Sequence, residues 1–255
     1  MINILKTDFY KASRTTSFWV TLFFSILSIL ISTIVTFWIY TGSIFSEYLA
    51  EAESSSVNFF NFFPTILSDC TFLIGIFAIM FSIADFNNGT IKNIASKGYH
   101  REYIYLSKFV TVLGAALIHL IASFVTAFIT AQIMINNKIP NFFSYNEDFL
   151  PKMAKFSLQL VAYISIAILL TMLIRSLGSS LAIFLAFFFL ESSIADLINN
   201  LISTVFNSDF SISPYLIHNA FAGSDSTTQG VIVVLAYIVV SAAIGIYTFR
   251  KRDIN

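Results

Sequence analysis

The sequence predicts an all-α integral membrane protein with six transmembrane helices, and three observations indicate this fold class. Hydrophobic residues make up 57% of the chain, charged residues only 11%, and the mean hydropathy is +0.81. A soluble domain has about 25% charged residues, because water must solvate its surface. The apolar residues form runs of about 20, the length of helix that crosses roughly 30 Å of hydrocarbon. Basic residues are concentrated in every second connection between these runs.

Composition also excludes several classes of function. The formal net charge is zero, which gives no indication of a nucleic-acid partner. The single cysteine, Cys70, excludes an intrachain disulfide and a cysteine-based zinc site, and we expect it only to pack within its apolar run. The first run, 17–40, exceeds the roughly 7–15 residues of a signal-peptide core, and no small-residue cleavage site follows it. We therefore expect a retained membrane helix.

Residues 1–16 are predicted to form a helix that lies in the cytoplasmic interface of the membrane. Ile2, Leu5, Phe9 and Ala12 recur at helical spacing, and the basic side chains fall elsewhere around the helix, where they can meet lipid headgroups. An ordinary basic flank that anchors the first span would also place lysines here, so both interpretations stay open.

The membrane helices follow from the lengths of the apolar runs. Five runs are long enough to span: 17–40, 65–84, 109–135, 156–175 and 230–249. The third is long enough to need tilt. A further helix, the fifth in chain order, occupies 177–206 and brings the number to six. The whole chain, 1–255, is expected to be a single transmembrane domain.

The fifth helix, 177–206, is predicted to be broken. At about 1.5 Å per residue, its apolar part, 177–190, does not reach across the hydrocarbon. A carboxylate that faced lipid would be expensive, so we expect Glu191 to face protein or water near the outer leaflet. These features predict a break around Glu191 and Ser192, followed by an outer re-entrant segment that ends near Phe206.

Four residues of this helix are candidates for an outer gate or transport pathway: Glu191, Asp196, Phe187 and Phe188. The spacing of the two acids does not place them on one helical face, which weakens a shared site. The phenylalanines could line a chamber for an apolar substrate, or they could simply face lipid. Periodicity cannot decide between these, because the helix is apolar on all sides.

Orientation follows from the distribution of lysine and arginine. All but three of the 14 basic residues lie in segments that would be cytoplasmic if the N-terminus is inside, and the three others are Lys138, Lys152 and Lys155. The sequence therefore predicts a multi-pass protein of the cell membrane with both termini in the cytoplasm.

The connection between the second and third spans, residues 85–108, is the long polar segment with clear positive charge. It begins at Asp85, continues through Asn87 and Asn88 to Gly89-Thr90, and ends at Lys108. Any cytoplasmic connection is basic by the positive-inside rule, and this alone would account for the lysines. It would not account for Gly-Thr followed by the helical stretch 91–96.

Several catalytic motifs are absent from the sequence. There is no G-x-x-x-x-G-K-[ST] phosphate loop, so the chain does not bind ATP by that mechanism. There is no H-E-x-x-H motif either, which argues against an intramembrane zinc protease of that kind. His119, inside the third span, is either a proton relay or a neutral histidine hydrogen-bonded within the bundle. We find no internal repeat typical of secondary transporters.

The 85–108 segment resembles the intracellular loop of permeases in the type-two export family of ABC transporters. The resemblance lies in an acid at Asp85, the polar stretch to Gly89-Thr90, a short helix over 91–96, Arg101, and Lys108 opening the next span. The family usually has Glu at the first position, and many members have Pro where this chain has Gly98. The order of an interfacial helix, six spans and a broken fifth helix extends the resemblance to the whole chain.

This resemblance implies a coupling helix near residues 89–97 that seats in a groove of a separate ATPase subunit. The implied coupling residues are Gly89, Thr90, Ile91, Lys92, Ile94, Lys97 and Arg101. The family works as two permeases with two ATPases, so the partner would be a second copy or a related permease. ATP and Mg would bind the ATPase, and this chain would carry no cofactor, no metal site and no catalytic residue.

The cargo implied by resemblance and composition is a hydrophobic or amphipathic peptide, as in bacteriocin-immunity pumps and exporters of phenol-soluble-modulin-like toxins. A different class stays open: an ion-coupled carrier or channel that uses Asp69, His119, Glu191 and Asp196 as its charge pathway. A membrane enzyme lacks any nucleophile or metal constellation. A non-transporting sensor or scaffold partner is not excluded by the sequence.

Overall fold

The computed structural model describes residues 2–41, 58–135, 142–206, 211–221 and 227–251, and the regular structure within these ranges is helical throughout. The helices are α1 (Ile2–Arg14), α2 (Thr16–Thr41), α3 (Phe59–Ile66), α4 (Ser68–Asn87), α5 (Thr90–Ser96), α6 (Arg101–Ile135), α7 (Phe149–Ile174), α8 (Leu177–Phe206) and α9 (Thr227–Lys251), with a 3-10 turn at Ser213–Tyr215. Six of them, α2, α4, α6, α7, α8 and α9, are long and apolar enough to cross a membrane. The predicted all-α class with six such helices is confirmed.

Helices α4 and α7 form the centre of the bundle. They are the most buried of the six long helices, and α4 packs against α2, α7 and α8, whereas α7 packs most extensively on α9. The close approach of α4 and α8 depends on Gly75, because a Cβ at this position would overlap the ring of Phe184. Phe184 is itself fully buried. A small residue at the contact therefore lets an aromatic ring of one helix lie against the backbone of the other.

One end of the bundle collects several segments that are distant in sequence. Arg175, in the turn between α7 and α8, lies over the Phe86 ring at 5.2 Å. Arg101, at the start of α6, donates hydrogen bonds to the carbonyl oxygens of Phe249 and Arg250 near the end of α9. We call this the α5 end of the bundle, because α5 lies there between α4 and α6. The starts of α4 and α7 lie at the opposite end.

Helix α1 is present, but its buried stripe differs from the predicted one. Phe9 was expected in this stripe, whereas it is 39% exposed and the buried residues are Ile4, Asp8 and Ala12. The rotation has an electrostatic cause. The Asp8 carboxylate pairs with the Lys108 ammonium of α6, so this face of α1 turns toward the bundle.

The predicted break in the fifth spanning helix is wrong. Helix α8 runs without interruption from Leu177 to Phe206, 30 residues, and the position of Glu191 lies inside it. The prediction rested on the short apolar run 177–190 and on the carboxylate that follows it, which was not expected to lie within a continuous helix. Instead, neighbouring groups donate hydrogen bonds to the carboxylate, so the backbone has no reason to break.

The helices also extend beyond the apolar runs. Helix α6 begins at Arg101 and α7 begins at Phe149, each about two turns before the predicted start at 109 or 156. These first turns contain charged side chains, so they fall outside the apolar runs from which the helix starts were predicted. The backbone is nevertheless helical there. As a result Lys108 lies within α6, and the 85–108 segment is mainly helical.

Candidate functional site

Helix α5 is bounded by two glycines in the left-handed conformation. Gly89 has φ 65° and Gly98 has φ 82°, values at which a residue with a Cβ is strained. The Gly89 N–H donates to the Phe86 carbonyl at the end of α4, and the Gly89 carbonyl accepts the Asn93 N–H in α5. Gly89 is thus the turn that ends one helix and starts the next. The short helix expected after Gly89-Thr90 is present and begins at Thr90.

The two sides of α5 differ in their surroundings. Ile91 is 1% exposed and Ile94 packs against the core, so the apolar side is anchored in the bundle. Asn93, Ser96 and Lys97 are exposed. The side chain of Lys92 lies outside the described residues. The arrangement is a short helix that the bundle holds by one face and that presents a polar face to its surroundings.

Arg101 has a different role from the other predicted coupling residues. It is half-buried, and its guanidinium donates to the carbonyl oxygens of Phe249 at 3.3 Å and Arg250 at 2.9 Å. Basic side chains commonly satisfy the last carbonyls of a helix in this way. Arg101 therefore joins the start of α6 to the end of α9. The adjacent Glu102 and Arg250 form an exposed ion pair at 3.1 Å.

Four charged side chains from three helices meet beside α5: Asp8 and Lys11 of α1, Asp85 of α4 and Lys108 of α6. The Lys108 Nζ lies 2.6 Å from Asp8 Oδ1 and also contacts the Asp85 carboxylate. The Lys11 ammonium contacts the other oxygen of Asp85. Ser107 donates a hydrogen bond to Asp8. We call these four charged residues the buried ion cluster.

The ion cluster is buried and balanced. Asp8, Asp85 and Lys108 are at most 2% exposed, and a buried charge is costly unless an opposite charge lies beside it. Two carboxylates and two ammonium groups satisfy this condition. Desolvation lowers the pKa of Lys11 and the nearby Lys108 ammonium lowers it further, whereas the Asp8 carboxylate raises it. The cluster ties α1 to both flanks of α5, the end of α4 and the start of α6.

Sequence reasoning found half of this cluster. Asp85 and Lys108 were singled out as the two ends of the 85–108 segment, but Asp8 was overlooked and Lys11 was expected to meet lipid headgroups. The signal for Asp8 was its position: it is the one acid in an otherwise basic amphipathic helix. An acid at such a place, on the apolar side of the helix, indicates a buried cation nearby.

At the opposite end, Glu191 has partners that its sequence neighbours do not supply. It is 5% exposed, and its carboxylate accepts the Tyr163 hydroxyl at 2.9 Å and the His218 backbone N–H at 3.2 Å. Asp196 is exposed and does not join it. The structure therefore does not bring Glu191 and Asp196 together, in keeping with their spacing of five residues.

The two phenylalanines proposed with Glu191 lie near its hydroxyl partner. The rings of Phe187 and Phe188 lie 6.3 Å and 5.1 Å from the ring of Tyr163, and both side chains are half-buried. They therefore pack within the protein on at least one side. The side chains of Phe187 and Phe188 therefore do not face lipid alone.

His119 is buried in the contact between α2 and α6. Its Nδ1 is 2.9 Å from the Ala115 carbonyl oxygen and its Nε2 is 3.3 Å from the Thr21 hydroxyl. These are the contacts expected for a histidine hydrogen-bonded within the bundle. The side chain of Asp69 lies outside the described residues. Among the residues that the structure describes, no three histidine, cysteine, aspartate or glutamate side chains are grouped as metal ligands.

The comparison with known protein families covers most of the chain. Residues 29–255, which include the second half of α2 and all of α3 to α9, match the family described as "Protein of unknown function (DUF2705)". No curated protein matches the chain. The matched range contains α5, Lys108 and Glu191, but not Asp8 and Lys11 of the buried ion cluster. The chain belongs to the DUF2705 family.

Proposed function

We propose that this protein is the membrane-spanning subunit of an ATP-driven exporter of the type-two ABC family, and that α5 is its coupling helix. The observation that carries the proposal is the geometry of α5. It is a short helix held at Gly89 and Gly98, anchored by Ile91 and Ile94, with a polar face that presents Lys97. An ATPase subunit that binds this face could move α4 and α6, because α5 connects these two helices.

The buried ion cluster would help to transmit a movement of α5 to the long helices, because it joins α1, α4 and α6 beside α5. Because Asp85 lies near the end of α4 and Lys108 near the start of α6, a displacement of α5 would act on two long helices that already share charged contacts. Asp8 and Lys11 join α1 to the same contacts. Such packed elements move as bodies rather than deform continuously, which is how small shifts at an effector site become larger rearrangements.

The proposed orientation places the α5 end in the cytoplasm. Arg101, Arg175, Arg250 and Lys108 all have their contacts at this end, and positive residues favour the cytoplasmic side. Lys152 and Lys155 lie at the opposite end. This orientation would put α1 and the end of α9, and hence both termini, in the cytoplasm of a cell-membrane protein.

The partners follow from the proposed class. Two separate ATPase subunits would bind ATP and Mg, and a second permease, identical or related, would complete the transporter. Several long helices, α2, α8 and α9 among them, leave much of their apolar surface exposed, as surfaces covered by lipid or a second permease would be. The proposed cargo is a hydrophobic or amphipathic peptide.

The test is charge reversal at the two lysines of the 89–97 segment. The chain is co-expressed with a candidate ABC ATPase subunit, and co-purification and peptide-stimulated ATP hydrolysis in lipid are measured for Lys92→Glu/Lys97→Glu. We expect loss of both, since two reversed charges would meet the ATPase groove. Lys6→Glu, at an exposed position of α1, is the matched control and should keep both activities.

Two results would refute the proposal. One is unchanged co-purification and unchanged peptide-stimulated ATP hydrolysis in the double variant. The other is transport that persists when the ATPase is absent, which would favour an ion-coupled carrier.

A further inference from the structure

A cavity of about 330 Å³ lies at the end of the bundle opposite α5. It is formed where α3, the start of α4 and the first half of α7 come together, and α8 and the segment after it supply the remaining wall. Ligand cavities in proteins begin at about 300 Å³, so the space suits a headgroup or a small solute rather than a whole lipid. The charged, polar and aromatic side chains that line it include those of Lys152, Lys155, Phe156, Gln159, Phe188 and His218.

The charged part of the cavity comes from two lysines one helical turn apart. Lys152 donates a hydrogen bond to Asn61 Oδ1 at 2.9 Å, which holds its ammonium at the cavity wall. Lys155 is half-buried, and its ammonium lies 5.7 Å from the centre of the Phe221 ring. Among the described lining residues, these are the side chains with a permanent charge. The wall is therefore positive.

The position of this charge is unusual for the chain. Only three of the 14 basic residues fall in the connections predicted to be outside the cell, and two of them, Lys152 and Lys155, line this cavity. The positive-inside rule does not require lysines there. Snorkelling to headgroups would explain one exposed lysine, but Lys155 is half-buried and its ammonium lies near the half-buried ring of Phe221.

The remaining lining is partly polar and partly apolar. The Gln159 amide donates to the carbonyl oxygens of Ile217 and His218, so the segment after α8 is held as a wall. Phe156 is buried and Phe188 packs on Tyr163, and both present apolar surface beside the lysines. The nearby Glu191 carboxylate is engaged by Tyr163 and the His218 N–H, and Glu191 is not among the lining residues.

We propose that this cavity binds the phosphate headgroup of an anionic amphiphile. Lys152 and Lys155 would hold the phosphate as point charges, and Phe156 and Phe188 would contact the first carbons of the attached chain. Basic pockets between transmembrane helices recognise lipid headgroups by the same chemistry. The proposal does not depend on the exporter assignment, because it concerns binding by this chain alone.

The test uses the full-length chain, purified in dodecyl maltoside micelles without an ATPase, and counts bound dodecyl phosphate by native mass spectrometry. We expect one saturable site per chain, with dodecyl maltoside itself not retained there. Lys152→Gln/Lys155→Gln should raise the Kd at least about tenfold, since hydrogen bonds to charged groups are among the stronger ones. Lys152→Arg/Lys155→Arg keeps the charge and should retain binding.

Matched variants separate the site from general effects. Lys6→Gln removes the same charge at an exposed position near the α5 end and should change the Kd less than twofold. Phe188→Ala should weaken binding, whereas Phe189→Ala, at an exposed neighbouring position, should not. Elution of each variant as a single species on size exclusion shows that it is folded.

Competition identifies the source of the phosphate. Displacement of dodecyl phosphate by phosphatidylglycerol indicates a membrane lipid, and displacement by inorganic phosphate indicates a soluble phosphate compound; either result supports a phosphate site. Unchanged binding in the folded double glutamine variant would overturn the proposal. Equal retention of dodecyl maltoside would overturn it as well, since the lysines would then not select an anion.

Discussion

The Lys108 ammonium lies 2.6 Å from the carboxylate of Asp8, a residue of α1 that precedes Lys108 by 100 positions in the chain. Neither side chain is more than 3% exposed. The pair makes α1 an integral part of the bundle rather than a loose flank of the first long helix. Because Lys108 also contacts Asp85, removal of one cation affects α1, α4 and α6 together.

We predict that Lys108→Met lowers the free energy of unfolding by about 3–5 kcal/mol, because it leaves buried carboxylates without their shared cation. Unfolding of the purified protein in mixed micelles, followed by circular dichroism as the denaturing detergent is increased, measures the change. Glu102→Gln is the control, since it removes an exposed ion pair with Arg250 and should change stability by about 0–1 kcal/mol.

Asp8→Asn/Lys108→Met should recover a large part of this loss. The double variant removes both members of one pair and leaves Asp85 beside Lys11. Strictly additive effects of the two single changes would show that the residues do not interact, contrary to the structure.

Gly89→Ala is expected to destabilise the turn between α4 and α5 by about 1 kcal/mol, because φ is 65° at this position. No atom lies within 4 Å of the added Cβ, so the effect comes from the backbone alone. Gly89→Asn should have a smaller effect, since asparagine adopts this conformation more readily. Hydrogen exchange of the Asn93 amide, which bonds to the Gly89 carbonyl, reports the change. Equal effects of Ala and Asn would contradict the backbone explanation.

Gly75→Ala should lower stability by about 1–3 kcal/mol, the usual effect of overfilling a packed contact. The new methyl group would overlap the buried Phe184 ring and push α4 away from α8. The second change Phe184→Leu shortens the opposing side chain and should restore part of the loss in the same unfolding measurement. Gly178→Ala, where the added Cβ meets no atom within 4 Å, is the control and should be neutral or slightly stabilising. A Gly75→Ala variant as stable as the parent would show that α4 and α8 do not approach so closely.

Tyr163→Phe is expected to destabilise the protein by about 1.5–3 kcal/mol, since it removes a hydrogen bond to the buried Glu191 carboxylate. Tyr145→Phe, at an exposed position, should have almost no effect on the same unfolding measurement. If the two variants behaved alike, the hydroxyl would not be satisfying Glu191, and the continuity of α8 at this point would need another explanation.

The number and class of the long helices could be predicted because they depend on local quantities. An apolar run of sufficient length must be a helix in lipid, whatever its neighbours, because its backbone groups need partners within the segment. Gly89-Thr90 was singled out by its resemblance to the intracellular loop of an exporter family, and the left-handed turn found there is a property of a few adjacent residues. Glu191 faces protein as expected, but the predicted break beside it was wrong, because the groups that satisfy this buried carboxylate are distant in sequence.

The sequence by itself determined that this chain has six helices able to cross a membrane, that its basic residues are sorted between alternate connections, and that a short helix follows Gly89. Only the tertiary structure decided which face of α1 is buried, which cations accompany Asp8 and Asp85, and that α8 continues past Glu191. The physical reason is the range of the forces involved. Burial of apolar side chains in lipid and backbone hydrogen bonding act within a segment, whereas neutralisation of a buried charge requires a partner from another helix, and no local pattern specifies it.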